Sequence, residues 1–122
     1  MEERRRFVRL DTRLDIRYTV VPTGTAKHAL TKDIAGGGMC LFAEQMLPVG
    51  TRLQVALTLP GRETPVHCIA EVMWSEEYEV IGKTQRQRSI EVGVRFLEIA
   101  PQDREAVMQH VILNLMPPRT TR

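Results

Sequence analysis

The stretch that decides the fold is Arg13-Leu14-Asp15-Ile16-Arg17-Tyr18-Thr19-Val20, where apolar and polar residues alternate without a break. Leu14, Ile16, Tyr18 and Val20 fall on one side of an extended chain, and Arg13, Asp15, Arg17 and Thr19 on the other. A period of two marks a strand with one face in a core and one in water. Pro22-Thr23-Gly24 ends it with turn chemistry. Working outward, further strands are expected over 26–34 and 38–43, with Gly36-Gly37-Gly38 between them. Pro48-Val49-Gly50 is a turn. Leu53, Val55, Leu57 and Leu59 then alternate with Arg52, Gln54, Ala56 and Thr58, and Pro60-Gly61 makes the next turn. A fifth strand is expected over 65–75 and a sixth on Ile90, Val92, Val94 and Phe96. The polar stretch 76–88, with Gly82, reads as a loop. After Pro101 the period changes. Val107, Val111 and Leu115 recur every four residues, with Met108 and Ile112 beside them, which predicts a helix with one apolar stripe. Pro117-Pro118 stops it. The expectation is an all-β fold: a small six-stranded antiparallel barrel with a C-terminal α-helix.

The chain has 122 residues, of which 43% are hydrophobic, enough for one domain and one core. It divides into an arm, 1–12, a barrel-plus-helix body, 13–116, and a tail, 117–122. The net charge is +2, and residues 1–10 alone, with four Arg and two Glu, account for it. The body is neutral. That disfavours general nucleic-acid binding, which needs a basic face across the fold, and favours a local anion site. The N-terminus has no apolar segment of the secretory kind and no run is long enough to span a membrane, so the protein reads as cytoplasmic. Cys40 and Cys68 sit in apolar strands without the spacing of a metal or redox pair and read as buried thiols. His28, His67 and His110 share no metal-ligand spacing, and no nucleophile–base constellation or phosphate-binding loop occurs. Neither a metal, a cofactor nor an enzyme activity is expected.

Two segments carry the chemistry. Arg4-Arg5-Arg6-Phe7-Val8-Arg9 offers four guanidinium groups within six residues, suited to bidentate contact with phosphate or with the O6/N7 edge of guanine. Asp33-Ile34-Ala35-Gly36-Gly37-Gly38 offers one carboxylate, which suits the N–H groups of a guanine, followed by glycine backbone whose N–H groups suit an anionic oxygen. The two segments together imply a ligand with both phosphate and purine.

In this order and spacing they resemble the signature of the PilZ domain, a bacterial receptor module for cyclic di-GMP. That signature is RxxxR, often RRxxxR, followed by [D/N]xSxxG. Arg5 and Arg9 fall on RxxxR and Arg4 on the leading Arg. Asp33, Ala35 and Gly38 fall on the second motif, where Ala35 replaces the usual serine. The resemblance continues through Pro48-Val49-Gly50, Val72-Met73-Trp74 and Gly93-Val94-Arg95-Phe96. It implies a six-stranded barrel with a C-terminal helix, and a ligand site built from Arg4, Arg5, Arg9, Asp33, Ala35, Gly36, Gly37 and Gly38. The arm would close on the ligand and alter a surface for an unidentified partner protein. The leading Arg implies two ligand molecules per chain, and the missing serine hydroxyl implies weakened binding. Trp74, the only tryptophan, suits core or rim packing, or stacking on the ligand; its parity with Val72 points inward. Two other readings stand beside this one: a PilZ-like adaptor that has lost nucleotide and works by protein contact, favoured only by Ala35, and a nucleic-acid-binding barrel with a basic arm. Ile69 and Met73, on the outer side of the fifth strand, are a candidate contact surface.

Overall fold

The computed structural model describes residues 8–22, 24–82 and 86–115. Seven strands and a helix follow in chain order: β1 (Leu10–Asp11), β2 (Asp15–Val20), β3 (Lys27–Ala35), β4 (Gly38–Ala43), β5 (Arg52–Leu57), β6 (Val66–Ile81), β7 (Arg86–Ile99) and α1 (Pro101–Leu115). All pairings are antiparallel. The sheet runs β3-β2-β5-β6-β7-β4 and closes because β4 returns to pair with β3. Closure leaves no open edge around the ring. The expected six-stranded barrel with its helix is therefore present, with β1 as an additional strand.

The alternation that predicts β2 is the alternation observed. Ile16 and Tyr18 are buried while Asp15 and Arg17 are exposed. Val55 and Leu57 on β5, Val66 and Val72 on β6, and Val92, Val94 and Phe96 on β7 complete an aliphatic interior. At the apolar transfer value, each such side chain stabilises the fold by roughly 1.5–3 kcal/mol. Tyr18 is the largest fully buried side chain, and its hydroxyl finds no partner. Burial raises its pKa, with Glu44 adding to the effect.

β1 lies on the same edge of β3 as β2, in line with it. Leu10 pairs with Ile34 and Asp11 with Asp33, whereas β2 takes Lys27–Leu30. The gap at 12–14 is stitched by Thr31, the only buried polar residue among those described. Its hydroxyl donates to the Thr12 carbonyl at 2.6 Å and accepts from the Leu14 N–H at 2.9 Å. Leu10 and Asp11, read from sequence as part of the arm, thus belong to the sheet, and Leu10 joins the core.

Two expectations need correction. Residues 76–81 and 86–88 are not a loop. β6 runs on to Ile81 and β7 begins at Arg86, with Ser75 to Ile81 laddered against Val92 to Arg86. Polar residues occur on both faces of this extension, and its Tyr78 and Ile81 are exposed, because it projects beyond the barrel and has no core to cover. Its cross-strand partners include the Arg88–Glu77 pair. The helix stripe is also narrower than its sequence period: Val107 and Val111 are buried, but Ile112 and Leu115 are exposed. α1 packs against β1 and β3. Its start is fixed by Arg62, which donates to Asp103 at 2.8 Å from the β5–β6 turn. Pro117 and Pro118 lie outside the described residues.

Candidate functional site

The pairing of β1 with β3 brings the two chemical segments together. Arg9 immediately precedes β1, and β1 lies against the end of β3, so Arg9 is delivered beside Asp33. Its Nη1 donates to Asp33 Oδ1 at 2.6 Å, across 24 residues of sequence. Asp33 is largely covered and Arg9 is half-exposed. Arg4 and Arg5 lie outside the described residues.

The register then places the rest of the site as two rows across four strands. Asp33 pairs with Cys40, Cys40 with Gly93, and Gly93 with Trp74. Ala35 pairs with Gly38, Gly38 with Arg95, and Arg95 with Glu71. Directly paired residues share a face, and so do residues two apart on one strand. Ile34, Met39, Val94 and Val72 point the other way, into the core. The outer wall therefore carries a floor of small residues, Ala35, Gly38, Cys40 and Gly93, with charged and aromatic groups at its ends. A pocket of about 440 Å³ lies over this floor, lined among others by Arg9, Asp33, Trp74 and Arg95. Its volume falls in the range of small-molecule sites.

Two β-bulges aim the functional side chains. Thr31 pairs with Leu41 and Asp33 with Cys40, so Lys32 is an extra residue in β3. In an unbulged strand, Asp33 would share the inward face of buried Thr31. Likewise Val72 pairs with Val94 and Trp74 with Gly93, so Met73 is extra in β6. A bulge inverts the parity of everything beyond it. Trp74 is consequently turned outward, 41% exposed, over the pocket rather than into the core as parity with Val72 predicts.

The glycines act through space rather than through backbone freedom. Positive φ occurs at Gly50 and Gly61, in turns, and not at Gly36, Gly37 or Gly38. A Cβ at Gly38 would lie 2.9 Å from the Arg95 Cα and nearer still to the Val94 carbonyl oxygen. A Cβ at Gly93 would lie 2.7 Å from Trp74 Cζ2 and closer still to Cε2 and Nε1 of the indole. So β4 approaches β7 with no room for a side chain, and the indole lies directly on the Gly93 backbone. Gly37 contributes its carbonyl, which accepts from Phe96 N–H at 2.9 Å.

The electrostatics are local. Arg95 Nε donates to Glu71 Oε1 at 2.9 Å, and Nη2 lies 2.7 Å from the same oxygen in the ion pair. Lys32 donates to both oxygens of Glu91 at 3.2 Å, and this contact raises the lysine pKa. Burial, with Asp33 and Glu91 nearby, pushes the Cys40 thiol up to about 11. Burial pushes Cys68 up to about 12. Both are free, buried thiols, held protonated and poorly nucleophilic. Among the described residues no group of three or more His, Cys, Asp or Glu could hold a metal, and no helix is long and apolar enough to cross a membrane.

Of the residues that the sequence names, Arg9, Asp33, Ala35, Gly37, Gly38 and Trp74 line one pocket, Gly36 is not in its lining, and Arg4 and Arg5 lie outside the described residues. It does not name Cys40, Gly93, Arg95 or Glu71 as site residues. Gly93 carries a usable signal, since glycine inside a strand marks a close approach. Arg95 and Glu71 carry none until the register is known.

The fold and the pocket define a class: a closed antiparallel barrel with a charged, small-floored pocket on its outer wall. The PilZ domain model matches residues 3–113, and the chain belongs to the PilZ domain family. No curated protein matches it. Among solved structures it is similar to the Bacillus subtilis inhibitor of motility MotI/DgrA, with 22% identity, a TM-score of 0.73, 98% of this chain covered and 55% of that one. It is also similar to the PilZ domain of Escherichia coli YcgR, solved with c-di-GMP, with 22% identity, a TM-score of 0.72 and coverage of 93% and 92%. The MrkH–c-di-GMP complex of K. pneumonia gives 18% identity, a TM-score of 0.72 and coverage of 93% and 52%. The chain thus spans about half the length of MotI and MrkH and nearly all of the YcgR domain.

Proposed function

We propose that this PilZ domain is a receptor for cyclic di-GMP. The observation that carries the reading is the Arg9–Asp33 pair standing over a floor of small residues in a single pocket. Arginine donates to phosphate and to guanine O6 and N7, and a carboxylate accepts from guanine N1–H and its 2-amino group. Membership of the family and the nucleotide complexes of YcgR and MrkH support it. The resident ion pair is half-exposed, and such pairs contribute only about 0–1 kcal/mol, so a ligand displaces it at little cost. Trp74, already lying flat on Gly93, offers its outer face to a base. Arg4 and Arg5 would arrive from the N-terminal arm, drawn by the phosphates, and two nucleotides would bind per chain. Ordering of the arm would change the surface presented to a cytoplasmic partner protein. The domain works by binding rather than by catalysis.

Titration calorimetry with cyclic di-GMP tests this. About two nucleotides per chain are expected, with Arg9→Ala or Arg5→Ala abolishing the heat. Ala35 favours a second reading, an adaptor without nucleotide; absence of heat at high micromolar ligand would establish that reading against ours.

A further inference from the structure

A second Arg–carboxylate pair stands at the pocket's edge: Arg95 lines the pocket, and Glu71 lies just beyond the lining, beside Arg95. Arg9–Asp33 stands at the β3 end of the small-residue floor. Arg95–Glu71 stands at the β6 end, with Arg95 lining the pocket and its guanidinium joined to Glu71 by two nitrogens. Both contacts are to Oε1, so Oε2 of Glu71 carries neither of them. β3 and β6 are three strand steps apart in the order β3-β4-β7-β6, roughly 14 Å at ordinary strand spacing. That is farther than one purine reaches and suits a ligand with a base at each end.

The geometry points to Arg95 and Glu71 as a second guanine-reading station, the specificity-determining pair at the far end of the pocket. This rests on the cyclic di-GMP reading above. The guanidinium fork donates to O6 and N7, while the carboxylate accepts from N1–H and the 2-amino group. Adenine reverses this pattern: it presents an amino donor in place of O6 and an acceptor at N1. The same pair that attracts guanine therefore rejects adenine. Gly38 makes the station reachable, because any side chain there would stand between Arg95 and Ala35 on the floor.

An ordinary cross-strand ion pair is the competing account, and Arg95→Lys separates the two. Lysine keeps the charge and the contact with Glu71 but loses the planar fork. Wild type, Arg95→Ala and Arg95→Lys are each titrated with cyclic di-GMP and cyclic di-AMP, with circular dichroism reporting the fold. Wild type is expected to prefer the guanine nucleotide. Arg95→Ala and Arg95→Lys are both expected to weaken cyclic di-GMP binding about tenfold, the scale of one bidentate base contact, and to narrow the preference accordingly. If Arg95→Ala does not fold, Arg95→Lys and Glu71→Gln carry the test, with the same loss of preference expected. A wild type that binds cyclic di-GMP, with Arg95 variants within twofold of it for both nucleotides, overturns the station and leaves the receptor reading intact. A wild type that binds neither overturns both.

Discussion

Replacing Gly38 by alanine should cost far more than replacing Gly93, although both glycines face the same pocket. The methyl group at Gly38 would meet backbone: the Arg95 Cα at 2.9 Å, the Val94 carbonyl carbon at 3.2 Å and the carbonyl oxygen nearer than either. Ordinary van der Waals contact begins near 3.4 Å. No rotamer relieves the clash, so β4 and β7 must part by about 1 Å, against hydrogen bonds whose useful range is only a few tenths of an ångström. Overpacking of this kind costs about 1–3 kcal/mol. Weakening one or two ladder bonds adds about 1 kcal/mol each. A total of about 2–5 kcal/mol follows for Gly38→Ala. At Gly93 the obstacle is the Trp74 indole, which is partly exposed and swings outward, so about 1 kcal/mol is expected there. In a domain of this size, about 3–5 °C of melting temperature is lost per kcal/mol. Thermal melts should therefore place Gly38→Ala about 10 °C below wild type and Gly93→Ala only a few degrees below. Tryptophan fluorescence should shift in Gly93→Ala, because the ring is lifted off the strand, and much less in Gly38→Ala. If Gly38→Ala melts within 1 °C of wild type, or Gly93→Ala is the costlier change, the claim that these glycines serve close approach is refuted.

Two further outcomes follow from the same geometry. Ala35→Ser adds a hydroxyl at the pocket wall beside Gly38 and should tighten cyclic di-GMP binding about tenfold, the worth of one hydrogen bond to a charged group; unchanged affinity by calorimetry would show that the serine position makes no contact. Cys40 and Cys68 keep their protons to about 11 and 12 in the folded state, against 9.0 for a free thiol. The unfolded chain therefore binds fewer protons above pH 9, and stability falls there by up to about 1.4 kcal/mol per pH unit for each thiol until the folded values are reached. Denaturant melts from pH 8 to 10.5 should show the decline, and Cys68→Ala should remove part of it.

Much of the fold is legible in the chain because period two and the later period of about four are local properties. Ile16 and Tyr18 on β2, and Val55 and Leu57 on β5, are buried as their alternation requires. The β6–β7 extension is not legible in this way: with no core beneath it, Glu76 to Ile81 shows no alternation, and its ladder is recognised only once the two strands lie side by side. Ile112 and Leu115 show the opposite failure. They continue the helical period past Val111, the last buried residue of α1, and stand in solvent.

The site divides along the same line. The sequence by itself determined the chemistry: the arginines, the carboxylate at Asp33, the small residues from Ala35 to Gly38 and a lone tryptophan, in an order that marks the family. Tertiary structure decided which way those groups face. Lys32 and Met73 each add one residue to a strand, and a single added residue reverses side-chain parity for all that follows. Asp33 and Trp74 leave the core face for that reason. Only the pairing of β3, β4, β7 and β6 brings Arg95 and Glu71 into the same rows, because hydrogen-bond register between distant strands is set by the whole barrel closing and not by any residue alone.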